Sequence, residues 1–78
     1  MTTPTKGQRV RVKSATMGQD ADGVERFVAA GTVGRVVDVR HDEPGHPLWD
    51  VVADDVWIIY DESDIDELEE VADAQGQR

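Results

Sequence analysis

The densest concentration of groups able to do chemistry is His41-Asp42-Glu43-Pro44-Gly45-His46, two imidazoles and two carboxylates within six residues. Imidazole nitrogen and carboxylate oxygen are both ligands for Zn²⁺ and similar divalent ions. Their spacing matches no recognisable four-coordinate pattern, and a turn built on Pro44-Gly45 needs polar neighbours in any case. A solvated turn over His41–Pro47 is therefore expected, with no metal and no cofactor. The rest of the chain offers no nucleophile–base set. It has no cysteine, no Ser–His–Asp spacing, no G-x-S-x-G and no glycine loop leading into a helix that would cradle phosphate. Carboxylates are plentiful, but they fall in turns and in the tail, where burial does not tune them for acid–base work. The sequence points away from an enzyme.

Charge is the second feature with chemical consequence. The net charge is −9, unevenly spread. Residues 1–40 carry seven bases against four acids, and residues 41–78 carry one base against thirteen acids. The acids Asp54, Asp55, Asp61, Glu62, Asp64 and Asp66 form either a solvated face or an anionic surface that draws in a protein with a basic face. Such an array can also imitate DNA phosphates to a nucleic-acid-binding protein. Arg9, Arg11, Lys13 and Arg35 are the alternative, a set able to contact RNA phosphates, but each such contact works against the field of a strongly acidic body. Trp49, Trp57 and Tyr60 are the candidate interface anchors, since large aromatics carry much of the energy of protein contacts. In a core this small at least one Trp is structural. If Leu48 and Val52 face inward, Trp49 is left outside, with Tyr60 at the rim.

The elements that must position these groups read as β-strands. Val10 and Val12 alternate with Arg9, Arg11 and Lys13, the period of a half-buried strand. Residues 15–26 hold Gly18, Asp20, Asp22 and Gly23 without sustained period and read as a long loop, or a loose hairpin ending near Phe27-Val28. Gly31–Arg40 is a second strand, with Val33, Val37 and Val39 on one face and Val36 on the other, so a bulge or bend is expected. Leu48–Ala53 is a third, Ala53-Asp54-Asp55 a tight connection, and Val56–Tyr60 a fourth, apolar on both faces and hence central. The tail supports two readings. Ile65, Leu68 and Val71 recur at helical spacing with a capping box at Ser63 and Asp66; the rival is a 3₁₀ turn at Asp61–Ile65 followed by a last strand at Glu67–Val71.

Seventy-eight residues allow one domain with a small core and marginal stability. A disordered lead over 1–6, a folded domain over 7–71 and a frayed end over 72–78 are expected. The absence of cysteine suits a reducing cytoplasm. No apolar stretch reaches the length of a membrane span, and Met1–Lys6 has no apolar run after it to make a secretory signal.

The order of strand, long loop, Gly-x-Val strand, two further strands and a short acidic exit resembles the SH3-like small barrels, in particular the KOW-type and photosystem-I-subunit-E-like variants. The matching residues are Gly7-Gln8-Arg9-Val10-Arg11-Val12, Gly31–Val39 and Glu62–Val71. The resemblance implies a single five-stranded SH3-like barrel, with a long loop after the first strand and a 3₁₀ turn before the last. It implies no one function, since such barrels serve unrelated tasks. KOW-type relatives bind RNA or the transcription and translation machinery, photosystem-like relatives dock proteins, and some acidic members of the wider group act as decoys on DNA-binding surfaces. His41-Asp42-Glu43 stands where a KOW relative carries a basic loop, and the aromatic groove of peptide-binding SH3 domains is missing. The expected function is a non-catalytic protein-binding module or small regulator, by analogy phage-encoded or accessory, with a basic partner; the alternatives are a KOW-like RNA accessory factor or a subunit of a larger assembly. Barrels of this kind set the first and last strands side by side, which would place Arg9, Arg11 and Lys13 against Glu67, Glu69 and Glu70.

Overall fold

The computed structural model describes residues 3–43 and 45–71. The expected frayed end over 72–78 lies outside them. The described chain is all-β apart from one 3₁₀ turn. Its strands are β1 (Arg9–Val12), β2 (Thr16–Gln19), β3 (Glu25–Val28), β4 (Val33–Glu43), β5 (His46–Ala53), β6 (Val56–Tyr60) and β7 (Leu68–Glu70), with the 3₁₀ turn at Ile65–Glu67. They form one antiparallel sheet in the order β3-β2-β6-β5-β4-β1-β7, curled into half a barrel. The sheet is open, with β3 and β7 as its edges. No described helix is long and apolar enough to cross a membrane.

Seven strands stand where five are expected. The additional pair is β2–β3, a regular hairpin ending at Val28, so of the two readings of residues 15–26 the hairpin holds and the long loop does not. Asp20 organises its turn. One carboxylate oxygen accepts from the Asp22 and Val24 amides at 2.9 and 3.0 Å, and the other from Arg26 Nε at 2.8 Å. Turn chemistry here connects strands rather than replacing them. Gly18 is required where the hairpin meets β6, because a Cβ on it would lie 2.5 Å from the Trp57 carbonyl oxygen and 2.6 Å from Val56 Cγ1.

The concave side holds the core. Val10, Val12, Val36 and Val51 are fully buried, with Val28, Ile58, Tyr60 and Leu68 around them. Burial of β-branched and aromatic side chains at about 25 cal/mol per Å² is the main stabilising term. The expected bulge lies in β4 between Val36 and Asp38. It shifts the strand's alternation by one residue, so that Val36, opposite Val51, and Val39, opposite Trp49, both face the core. The single face expected for Val33, Val37 and Val39 is thus broken at the bulge. β4 also runs on to Glu43 and β5 begins at His46, so most of the expected His41–Pro47 turn is strand.

The face of β5 that points inward is the one carrying Trp49, Val51 and Ala53. Trp49 is 4% exposed, and its Nε1 donates to the Pro4 carbonyl at 2.9 Å. Pro4 is itself buried. This contact ties down a stretch expected as a disordered lead: an indole N–H buried in an apolar core needs an acceptor, and the lead supplies it. The chain exits by the 3₁₀ turn and β7, not by a helix. Lys13 N–H donates to the Glu67 carbonyl at 2.8 Å and Val71 N–H to the Arg9 carbonyl at 2.9 Å, seaming β7 to β1.

Candidate functional site

The convex side of the sheet can be followed strand by strand through its register. Glu25 lies opposite Gln19, Gln19 opposite Trp57, Trp57 opposite Val52, Val52 opposite Arg35 and Arg35 opposite Arg9. Two residues along, Phe27 lies opposite Met17, and Ile59 lies opposite Asp50. Side chains at these positions share one face, because the period of a strand is two. Phe27 is 67% exposed, Ile59 53%, Met17 49% and Trp57 48%. A shallow groove between the hairpin and β6 is lined by Met17, Gln19, Glu25, Trp57 and Ile59. Four large apolar side chains open to water on three adjacent strands form a patch of the kind that marks an interaction surface.

Charged groups frame this patch. The Asp54-Asp55 turn precedes Trp57, and both aspartates adopt left-handed backbone at φ +54° and +62°. That is the geometry of a tight type I′ hairpin. Asp61 and Glu62 follow the other end of β6 and are exposed. Asp61 accepts from the Ser63 hydroxyl at 2.6 Å and the Ser63 amide at 2.9 Å, which hold its carboxyl below the usual range. Asp64 accepts from the Asp61 amide at 2.7 Å, yet burial raises its carboxyl above the usual range. On the β5 side, Asp50 is buried beneath a bidentate pair with Arg40, both contacts 2.7 Å, which closes the patch beside Ile59.

Of the anchors expected from sequence, the structure places only Trp57 on this surface. Trp49 and Tyr60 are core residues, 4% and 3% exposed, because β5 and β6 turn those faces toward the concave side. Asp54, Asp55, Asp61, Glu62 and Asp66 are exposed and Asp64 is half-buried. Met17, Phe27 and Ile59 were not anticipated. The signal for Ile59 was the two-sided apolarity of β6, whose outer face nothing covers among the described residues.

The basic set is divided. Arg9, Arg11 and Arg35 share the convex face at the far side of the sheet, whereas Lys13 lines a separate hollow with Pro4, Ile65 and Leu68. Arg11 Nη1 pairs with Glu69 Oε1 at 3.1 Å, and Arg35 Nη1 donates to the Gly7 carbonyl at 2.8 Å. His46 Nδ1 lies 3.4 Å from Glu62 Oε1. Among the described residues no three His, Asp or Glu side chains are grouped to hold a metal ion, and the Asp42 and Glu43 side chains lie outside that description.

No protein-family model, curated protein or solved structure matches this chain.

Proposed function

We propose that this chain is a non-catalytic protein-binding module of the SH3-like small-barrel type, whose convex sheet face docks on a basic protein. The observation that carries the reading is the exposed patch of Met17, Phe27, Trp57 and Ile59, bracketed by Asp54-Asp55 at one end of β6 and Asp61-Glu62 at the other. An apolar centre with a charged rim is the anatomy of a specific interface. The rim's sign selects a cationic partner and speeds its approach. A nucleic-acid-binding protein, whose own surface is basic, fits that description. The curled antiparallel sheet, with β1 between β4 and β7 and a 3₁₀ turn before the exit, supports the barrel class.

Affinity capture from a nuclease-treated lysate tests the reading, with three baits: the native chain, Trp57→Ala, and the chain carrying D54N, D55N, D61N and E62Q. One basic protein retained by the native bait and lost by both variants is the expected result. Components that vanish with nuclease treatment and survive Trp57→Ala would overturn it in favour of RNA contact through Arg9, Arg11 and Arg35.

A further inference from the structure

Among the described residues β3 is a free edge of the sheet, and three of its four residues, Glu25, Arg26 and Phe27, are exposed. The bond from the Asp20 amide to the Val24 carbonyl, 3.0 Å, sets the phase of the hairpin ladder. Hydrogen-bonded and non-bonded pairs alternate in an antiparallel ladder. Arg26 and Val28 therefore direct their amides and carbonyls at β2, and Glu25 and Phe27 direct theirs away from it. Edge strands are ordinarily blunted by lysine, proline or a bulge. β3 is short and carries Glu25 and Arg26, but it has no lysine, proline or bulge: its register with β2 is unbroken over four pairs, and Arg26 is drawn to Asp20 at 2.8 Å.

We infer that β3 accepts an extended segment of the basic partner as an eighth strand. The inference rests on the protein-docking reading above and specifies what that face recognises. Main-chain bonds to Glu25 and Phe27 would supply affinity, and the alternate side chains specificity. Glu25 and Phe27 share the convex face two residues apart. A strand laid beside them presents its own residues i and i+2 to the same face. Complementarity calls for Lys or Arg beside Glu25 and an apolar side chain beside Phe27, hence a segment alternating basic and apolar residues. A second copy of this chain suits the edge less well, since each copy brings a net charge of −9.

The probe is an N-acetylated, C-amidated octapeptide alternating Lys and Val, titrated into the ¹⁵N-labelled full chain and followed by amide shifts and hydrogen exchange. At saturation the Glu25 and Phe27 amides should exchange more slowly by about tenfold, the protection of roughly one hydrogen bond, while Arg26 and Val28 change little. Phe27→Pro deletes an amide that faces away from β2 and should weaken binding by about tenfold. Phe27→Ala, which keeps the amide, should retain the protection. Shifts at Trp57 and Ile59 without slowed exchange at Glu25 and Phe27 would overturn strand addition and leave face docking intact. Failure of the peptide to bind would also overturn it, with face docking still judged by Trp57→Ala in the capture experiment. A dimer in sedimentation velocity that Phe27→Pro disperses would overturn the basic segment as occupant and assign the edge to a second copy.

Discussion

Arg11 and Glu69 stand directly opposite each other across the β1–β7 seam, 58 residues apart in sequence and joined at 3.1 Å. The acidic tail and the basic first strand are thus partly each other's explanation. Both side chains are about half exposed, so the pair contributes only about 0.2–1 kcal/mol. Arg11→Glu should lower stability by up to about 1 kcal/mol through like-charge repulsion, and adding Glu69→Arg should recover much of it. Chemical denaturation of the four members of the cycle measures the coupling. Strictly additive losses would show that the contact contributes nothing.

The two tryptophans should separate cleanly in a quenching experiment. Trp57 is open to solvent and Trp49 is enclosed, so iodide should quench the first and spare the second. Trp49→Phe removes the donor to the Pro4 carbonyl and should cost about 1–2 kcal/mol in bond and packing. Trp57→Ala should leave the melting temperature nearly unchanged. A large loss of stability with Trp57→Ala would mean that it belongs to the core and not to a contact surface.

Gly18→Ala should detach the hairpin without unfolding the β4-β5-β6 meander. The new methyl would meet the Trp57 carbonyl and Val56 at the one register pair that joins β2 to β6, Gln19 with Trp57. Overpacking of this kind costs about 1–3 kcal/mol. Amide exchange should accelerate in β2 and β3 first. Uniform acceleration across the sheet would show that the hairpin is integral to the fold.

Tyr60 is the only tyrosine, so its titration is directly visible in the ultraviolet. Burial, with the charges of Asp64 and Glu67 adding to it, pushes its phenol up to about 12. The unfolded phenol ionises near 10. The associated stability is therefore intact below pH ~10 and lost as the pH rises toward about 12. Among the described residues the hydroxyl has no hydrogen-bond partner. Tyr60→Phe should be neutral or stabilising by up to about 1 kcal/mol and should remove this part of the alkaline loss. A destabilisation above that size would reveal a bond to the hydroxyl in solution.

Asp20 carries the acid-side prediction. Arg26, and then the Val24 amide, hold its carboxyl below the usual range. A depressed folded value stabilises above the unfolded carboxylate pKa, and that contribution disappears as the pH falls through the folded value. The β2–β3 hairpin should loosen on acidification, and Asp20→Asn should loosen it already at neutral pH. Chemical shifts of Met17 and Phe27 report the change; shifts that stay constant as Asp20 titrates would dissociate its carboxylate from the hairpin.

Strand identity was legible wherever strict alternation ran uninterrupted, as in Val10 and Val12 against Arg9 and Arg11. The β1–β7 pairing was expected from the resemblance to small barrels, and the opposite charges of Arg11 and Glu69 accord with it. The hairpin was legible only as one of two readings, beside a long loop, because Thr16-Met17-Gly18-Gln19 offers one large apolar residue, and that residue points outward. Which face of β5 is buried was not legible. Both faces are apolar enough, and the choice is made by the register with β4, where the Val37 bulge brings Val39 onto Trp49. Two of the four patch residues, Met17 and Phe27, lie in the hairpin, and the other two, Trp57 and Ile59, on β6. Only the acids and Trp57 could be anticipated, and Met17 and Phe27 follow from a hairpin that local composition does not separate from a loop.

The β1–β7 seam also dictates a timetable. β4, β5 and β6 are joined by short turns and can pair as soon as each is made, whereas β1 must wait for residues nearly sixty positions downstream before its second edge is covered. Contacts of such sequence separation are slow to form. On a ribosome, β1 would therefore pass most of synthesis with one side unzipped, its outer edge covered only after β7 emerges, and the rate of closing that last seam would limit how quickly a working molecule appears.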